Sequence, residues 1–379
     1  MGIVPDTRLG KLEFYEAHLP PCIAPLPPVL QERCLAAPGL LAWIIVAKFC
    51  DHLPLYRQEQ IFAQRHGVHL SRQTMARWLA MVAGWCAPVY REIRTGVMGG
   101  GYVQIDETPV RYLSPGSGRC LQGYLWTANR PGVGVFYDWH TSRAASCLDG
   151  LVPEGFCGTV QSDAYKAYTT LCRQREGRIT LAACWAHARR KFIEAKDQSP
   201  RCVWWLLRQF GHLYHIEQQL RDTKAGPALR AAVRAAQSRP IAERIGRALQ
   251  MWQRRKAHLP RSLMGRAIAY ALEQWEALGV FLKDGRVEID TNLVENAIRP
   301  TAIGKKNWMF IGEAQAGQNA AILYTLVENC RRQGIDPLAY FRDLLSALPA
   351  MTNKQVPDWT PAAWAKRHRA SMSLTTLAS

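Results

Sequence analysis

Among the acidic residues, Asp106, Asp163 and Glu295 have surroundings that suggest chemistry. Asp106 lies in Val103-Gln104-Ile105-Asp106-Glu107-Thr108-Pro109, where strand alternation puts Val103 and Ile105 on one face and Gln104 and Asp106 on the other. Glu107 points to the opposite face and carries little weight. Asp163 follows a second β-rich run, Thr159-Val160-Gln161. Taken singly, each acid is as well explained as a solvated strand end, a turn residue or a helix cap. Glu295 is more informative. At about 100° per residue, Asn292, Glu295, Asn296 and Arg299 share one arc of a helix, while Leu293, Val294, Ala297 and Ile298 share the opposite arc. A surface ion pair from Glu295 to Arg299 is worth only about a few tenths of a kcal/mol and leaves the flanking asparagines unexplained. Acids from strand, strand and helix in a basic chain suggest a cage of hard oxygen ligands for Mg²⁺, which keeps several waters and takes phosphate oxygens as its remaining ligands. Two such ions can activate a water or a 3′-hydroxyl and stabilise the departing oxygen of an in-line attack on phosphorus.

Other residues suit contact with DNA. Ser71 is a candidate N-cap for a polar helix whose first two turns project Arg72, Gln73 and Arg77, the part of a recognition helix that touches base edges. Arg189, Arg190 and Lys191 form a cationic run suited to phosphates, and Arg299 shares the polar arc of Glu295. Lys305-Lys306-Asn307-Trp308 joins two cations to an aromatic ring that can stack on an unpaired base, although tryptophan is more often core. Cys184 and His187 have no second CxxC or HxxH partner, which favours a structural or DNA-proximal role over zinc ligation.

The elements that must position these groups are legible from composition and period. The chain has 379 residues, enough for two or three compact units, and is ordinary for a globular protein at 48% hydrophobic and 21% charged. Its 48 Lys and Arg against 30 Asp and Glu leave +18, which makes nucleic acid the first partner to consider. The longest apolar run, Gly39 to Ala47, is less than half of the roughly 20 residues needed to span a bilayer, and no export leader opens the chain. Eleven cysteines without a CxxC pair fit reduced thiols in a cytoplasm.

Residues 1–36 hold Pro5, Pro20, Pro21, Pro25, Pro27 and Pro28 and read as an extended, Pro-rich lead-in. Residues 37–95 read as an all-α helix-turn-helix domain: an apolar stripe from Leu40 to Phe49, a second helix to His66, a stop at Gly67 and a restart at Ser71. Gly96, Gly99, Gly100 and Gly101 read as a flexible break. Three strands follow, Tyr102 to Tyr112, Leu121 to Thr127 and Val133 to Trp139, then a short helix, a strand ending near Asp163, another helix, and a strand from Ile179 to Cys184. Three hairpin-joined strands followed by αβαβ is the order of an RNase H-like mixed sheet, so the expected fold class is α/β. This catalytic core would occupy 101–187 and resume over 291–348, interrupted by a helical insertion over 188–290. Between Ala188 and Lys283 there are 19 Lys and Arg against 7 Asp and Glu, so 19 − 7 = +12 of the surplus sits there. A helix is expected to open near Asp290-Thr291, a basic loop to run from Gly304 to Gly317, and two more helices to follow; the tail over 349–379 has no usable period.

Seven strings occur in order: Pro38-Gly39-Leu40-Leu41-Ala42, Asp51-His52-Leu53-Pro54-Leu55-Tyr56-Arg57-Gln58, Leu70-Ser71-Arg72-Gln73-Thr74, Asp106-Glu107-Thr108-Pro109, Ser162-Asp163-Ala164-Tyr165, Cys184-Trp185-Ala186-His187-Ala188-Arg189-Arg190-Lys191-Phe192, and Asn292-Leu293-Val294-Glu295-Asn296-Ala297-Ile298-Arg299-Pro300. Together they resemble the insertion sequence 66 family of bacterial DDE transposases over about residues 37 to 345. The resemblance implies that Asp106, Asp163 and Glu295 are the DDE triad, with metal held by all three, and that Cys184 and His187 are the CxxH string many such enzymes carry. Longer members have a helical segment and a small cysteine zinc motif at their start; Cys22 and Cys34 lack that paired spacing, which implies a shortened copy.

The expected function is a cytoplasmic, nucleoid-associated transposase using two Mg²⁺ ions, with Mn²⁺ as a substitute. It would bind double-stranded DNA at terminal inverted repeats, cut the 3′ ends and join them to target DNA. It would act as a homodimer or higher synaptic oligomer, with element-encoded accessory proteins as possible partners and no membrane. The rivals are an inactive, shortened DNA-binding protein and a metal-dependent nuclease that cuts without joining.

Overall fold

A computed structural model describes residues 3–6, 11–14, 34, 36–114, 116, 118–163, 165–175 and 177–377. Most of the expected Pro-rich lead-in, with Cys22, lies outside these residues; within it, β1 (Ile3–Asp6) and β2 (Lys11–Phe14) pair antiparallel. Three helices follow: α1 (Pro38–Phe49), α2 (Leu55–His66) and α3 (Arg72–Met98). Gly67 closes α2 in the left-handed region at φ 65°, which only glycine adopts without strain, and the Ser71 hydroxyl caps α3 by accepting from the Thr74 amide at 3.2 Å. Beyond that cap, α3 buries Met75, Leu79, Val82, Ala83, Cys86, Val89, Tyr90, Ile93 and Val97, a stripe that carries the helix through Pro88 and Gly96. The glycines expected to form a flexible break instead make a tight turn. Gly101 sits at φ 68°, and a Cβ at Gly100 would collide with the Arg130 guanidinium, which itself donates to the Gly96 carbonyl.

The sheet comes next. β3 (Tyr102–Leu113), β4 (Cys120–Arg130) and β5 (Gly134–His140) form an antiparallel meander. After α4 (Ser146–Leu151), β6 (Gly158–Ser162) pairs parallel with β3; after α5 (Lys166–Gln174), β7 (Ile179–Ala183) pairs parallel with β6. The order across the sheet is β5-β4-β3-β6-β7.

From β7 the chain leaves the sheet for α6 (Trp185–Glu194), α7 (Pro200–Asp222), α8 (Pro227–Val233), a π-helical turn at Arg234–Ser238, α9 (Arg239–Arg254), α10 (Leu263–Glu273) and α11 (Trp275–Leu278). These helices enclose their own core around Trp185, Phe192, Leu206, Phe210, Ile245, Leu249 and Phe281, joined to the sheet at Tyr102 and Ala182. Inside this core, the fully buried Arg234 meets the fully buried Glu217 through two hydrogen bonds of 2.7 Å and donates to the Phe281, Asp284 and Val287 carbonyls. Such pairing offsets the large cost of burying both charges. Arg230 adds bonds to Glu288 at 2.7 Å and Glu217 at 3.3 Å. Two of the cations counted in the basic insertion are therefore internal and cannot reach a polyanion.

α12 (Asn292–Trp308) returns the chain to the sheet, and β8 (Phe310–Ile311) pairs with β3. The expected basic loop over 304–317 is thus largely the last turn of α12, stopped at Met309 with φ 59°, and the start of α13 (Ala314–Arg332). α13 covers the open edge of the sheet. Its Asn329, Thr325 and Gln318 side chains accept from the Val135, Tyr137 and Trp139 amides of β5 at 3.2, 3.0 and 3.2 Å. An edge strand closed this way offers few free amides to another chain. α14 (Pro337–Ala347) packs on α1, and the tail, unreadable by period, forms α15 (Pro361–Leu377). One core runs from α1 and α3 through β3, β4 and β5 to α13 and α14. Among the described residues, no helix is long and apolar enough to cross a membrane.

Candidate active site

Register alone brings two of the acids together. In the parallel pair, Gln104 of β3 lies opposite Gln161 of β6. Two residues further along, on the same face, stand Asp106 and Asp163, on strands spaced roughly 4.8 Å apart. Continuing the β6–β7 register past Ser162 and Ala183 sets Cys184 beside Asp163. Asp106, Asp163 and Cys184 thus form a row across three parallel strands, with Thr127 of β4 opposite Asp106 on the other side.

Glu295 comes to the Cys184 end of that row, and the segment before α12 is tied to the same face one rung back. Gln104 donates to the Asp290 carbonyl at 2.9 Å, Gln161 donates to the Glu288 carbonyl at 2.8 Å, and the Glu288 amide donates to the Tyr102 hydroxyl at 3.0 Å. Gln104 also bonds to Gln161 and Asn129, and Tyr102 to Gln161, so every rung is a buried, mutually satisfied network. Such a network fixes geometry, because shifting any member leaves buried polar groups unpaired. Sequence reasoning put Gln104 on the face of Asp106 but missed that it docks the residues leading to Glu295; the signal that could have found it was a glutamine two residues before each aspartate, Gln104 in β3 and Gln161 in β6.

The electrostatics record the convergence. Asp106 is pushed up to about 7, first by burial and then by the charge of Glu107; Asp163 and Glu295 add to the rise, while the Glu107 amide opposes it by donating at 2.9 Å. Asp163 accepts from the Tyr165 amide at 3.1 Å. Among the described residues, no Lys, Arg or His forms an ion pair with Asp106 or Asp163. Glu107, on the other face, is more than a bystander: it is buried against Arg143, accepts from the Tyr168 hydroxyl at 3.2 Å, and acts on Asp106 through space.

Glu295 also faces Cys184 and His187. His187 Nε2 is 3.9 Å from Glu295 Oε1, and the Thr291 hydroxyl lies 3.4 Å from the same oxygen. Val294, Ala297 and Ile298 are buried as the arc argument requires, but Leu293 is 41% exposed, since it lies at the margin of that arc.

The remaining candidates fall into three places. Arg72, Gln73 and Arg77 are exposed on α3, whereas the Ser71 hydroxyl is committed to the cap. Arg189, Arg190 and Lys191 are exposed on α6 next to His187, with Lys191 over the Tyr270 ring at 4.6 Å. Arg299 and Lys306 are exposed on α12, but Lys305 is tied to β3 through Thr108 and the Pro109 carbonyl, both at 3.2 Å. Trp308 is half-buried, with the Lys48 ammonium 5.6 Å from its ring. It lines a crevice of about 520 Å³ together with Lys48, Arg72, Gln73, Leu113 and Phe310, so the start of α3 and the end of α12 share one surface.

The sequence profile of the transposase IS66 family matches residues 33–319. Three proteins of Sinorhizobium fredii that carry no functional name are similar along most of the chain. The uncharacterized protein y4qI is 36% identical over 352 residues, 88% of this chain and 64% of that protein. For y4jD the identity is 34% over 358 residues, 90% and 68% of the two chains; for y4hP it is 30% over 373 residues, 92% and 66%. The chain thus spans about two thirds of the length of these relatives, 64%, 68% and 66% in turn.

Proposed function

Because the chain belongs to the IS66 family of transposases, we propose that it is a DDE-type enzyme that cuts the 3′ ends of its element and joins them to target DNA. The observation that carries the reading is the register that sets Asp106 and Asp163 side by side at the ends of adjacent parallel strands, with Glu295 at the Cys184 end of the same row. Asp106 and Asp163, neighbours with no ion-paired side chain among the described residues, repel one another, and a divalent ion relieves the repulsion. The donor set fits the ion, since all three are hard oxygens.

In this reading the fold is RNase H-like, as the order β5-β4-β3-β6-β7 with a central β3 supports, and α2 and α3 form a helix-turn-helix around Gly67. Asp106, Asp163 and Glu295 hold two Mg²⁺ ions, with Mn²⁺ as a substitute; when bound, these supply Lewis-acid activation of the attacking oxygen and neutralise the departing one. The chain's own groups do the rest. Arg72, Gln73 and Arg77 read the terminal inverted repeats in a major groove, and Arg189, Arg190, Lys191, Arg299 and Lys306 hold phosphates around the acids. Trp308 offers a ring to an unpaired base at the opened end, while Lys305 braces α12 against β3. Cleavage and joining at two ends call for a dimer or higher synaptic assembly on chromosomal DNA.

The test is a cleavage assay with Mg²⁺ on DNA carrying the element ends, comparing wild type with Asp163→Asn. Nicked 3′ ends and joined products from the wild type alone support the reading. Nicking without joining makes the protein a nuclease, and end binding without nicking leaves a DNA-binding protein.

A further inference from the structure

Cys184, His187 and Glu295 arrive at one point from three elements: the end of β7, the first turn of α6 and the first turn of α12. Their sulfur, imidazole nitrogen and carboxylate oxygen all lie within 4.8 Å of one another. We propose that these three residues form a transition-metal site, taking Zn²⁺ or an ion of like chemistry, which shuts off the carboxylate triad by drawing Glu295 away from it. The shut-off rests on the proposed role of Glu295 in that triad; the metal site does not.

The donor types set the class of ion. A thiolate, an imidazole and one carboxylate suit Zn²⁺ or Co²⁺ and are a poor set for Mg²⁺. The spacing agrees. His187 Nε2 and Glu295 Oε1 are 3.9 Å apart, too far for a hydrogen bond. Ligand atoms sharing a tetrahedral ion, with bonds of about 2.0 to 2.3 Å, stand roughly 3.3 to 3.7 Å apart, so closing the site needs movement of about an ångström. The Glu295 side chain is 32% exposed and has room to make it.

The surroundings suit a bound thiolate. Both the amide and the hydroxyl of Thr291 donate to Cys184 Sγ, at 3.3 and 3.2 Å, the kind of outer hydrogen bond that holds a metal-bound sulfur. His187 Nδ1 is buried with no hydrogen-bond partner, so nothing ties the ring away from the site. Three protein ligands leave a fourth position for water, and metal binding releases the Cys184 thiol proton to solvent. Cys184 lies one strand beyond Asp163 and two beyond Asp106. A carboxylate oxygen bound to that ion with Cys184 and His187 is no longer free to hold Mg²⁺ beside Asp106 and Asp163, and the triad stays incomplete.

The test uses the full chain, reduced and metal-free, titrated anaerobically with Co²⁺. One equivalent should bind with a sulfur-to-cobalt charge-transfer band and tetrahedral d–d bands. Cys184→Ser should lose the charge-transfer band, and His187→Ala, at a half-exposed position less prone to misfolding, should weaken binding by at least about tenfold. An unchanged band in both variants, from the protein's other thiols, or no stoichiometric binding, overturns the site. Zn²⁺ added to the Mg²⁺ cleavage reaction should inhibit the wild type, with His187→Ala needing at least about tenfold more Zn²⁺ for equal fractional loss. Zn²⁺ bound without inhibition overturns the shut-off. A wild type that binds Co²⁺ but never cleaves rejects the transposase reading, not the metal site.

Discussion

Two regions of the molecule treat sheltered acidic charge in opposite ways. In the helical region, Glu217 and Glu288 are met by Arg230 and Arg234, with carbonyl oxygens taking the spare donors of Arg234. On the sheet, Asp106 and Asp163 have one backbone amide each and no cationic side chain among the described residues. Full pairing is what a scaffold needs, since a lone buried charge is costly. Incomplete pairing, maintained by a rigid polar network one rung back, is what a site needs if an external cation is to supply the missing charge.

The comparison can be broken most severely on its paired side. Arg234→Met leaves Glu217 buried without its main partner and should cost about 3 to 5 kcal/mol of stability in chemical unfolding. Adding Glu217→Leu should recover a large part of that loss, because removing both charges removes the penalty; additive losses would show that the pair was not the issue.

On the unpaired side the sign reverses. Asp106 titrates near 7 in the folded chain and near 4 when unfolded, so the folded state binds more protons between those values. Its contribution to stability is therefore greatest at low pH, falls as pH rises from about 4 to about 7, and stays flat above. Asp106→Asn should raise the metal-free melting temperature at pH 8 by a few degrees and remove most of that slope, while Mg²⁺ should stabilise only the wild type. A variant that melts lower than wild type at pH 8 would contradict the unpaired reading.

The smallest effect on stability sharpens where the net charge acts. Arg254, Arg255 and Lys256 are exposed at the end of α9, unlike Arg230 and Arg234. Replacing all three with Ala should change stability by no more than about 0.5 kcal/mol per site. It should also flatten the salt dependence of DNA affinity, by roughly 0.9 in log–log slope for each phosphate the variant no longer neutralises, equally for end and random DNA. Selective loss for one sequence would place base reading in this region.

Much of this arrangement is readable from period and punctuation. Alternation around Asp106 gives its face, Gly67 and Ser71 mark the stop and restart of α2 and α3, and the polar arc of α12 sets Glu295 apart from Val294, Ala297 and Ile298. These are local properties of the chain. What stays hidden is long-range. The tie from Gln104 to the Asp290 carbonyl spans 186 residues, and no local pattern announces it. The approach of Cys184 and His187 to Glu295 is long-range in the same way. The continuation of α12 to Trp308, and of α3 past Gly96, follows from packing that overrides the weak helix preference of glycine. The tail helix α15 escaped because its apolar residues do not concentrate on one face.

The central claim is that Asp106, Asp163 and Glu295 hold metal ions together, and Glu295→Gln tests it most directly. The substitution keeps side-chain size and helix preference while removing one ligand charge. Measured on the same folded protein, Mg²⁺-dependent strand cleavage should fall by at least about 100-fold, roughly 2.7 kcal/mol of transition-state stabilisation, while affinity for end DNA stays within about twofold. Cleavage retained at the wild-type rate would contradict the account.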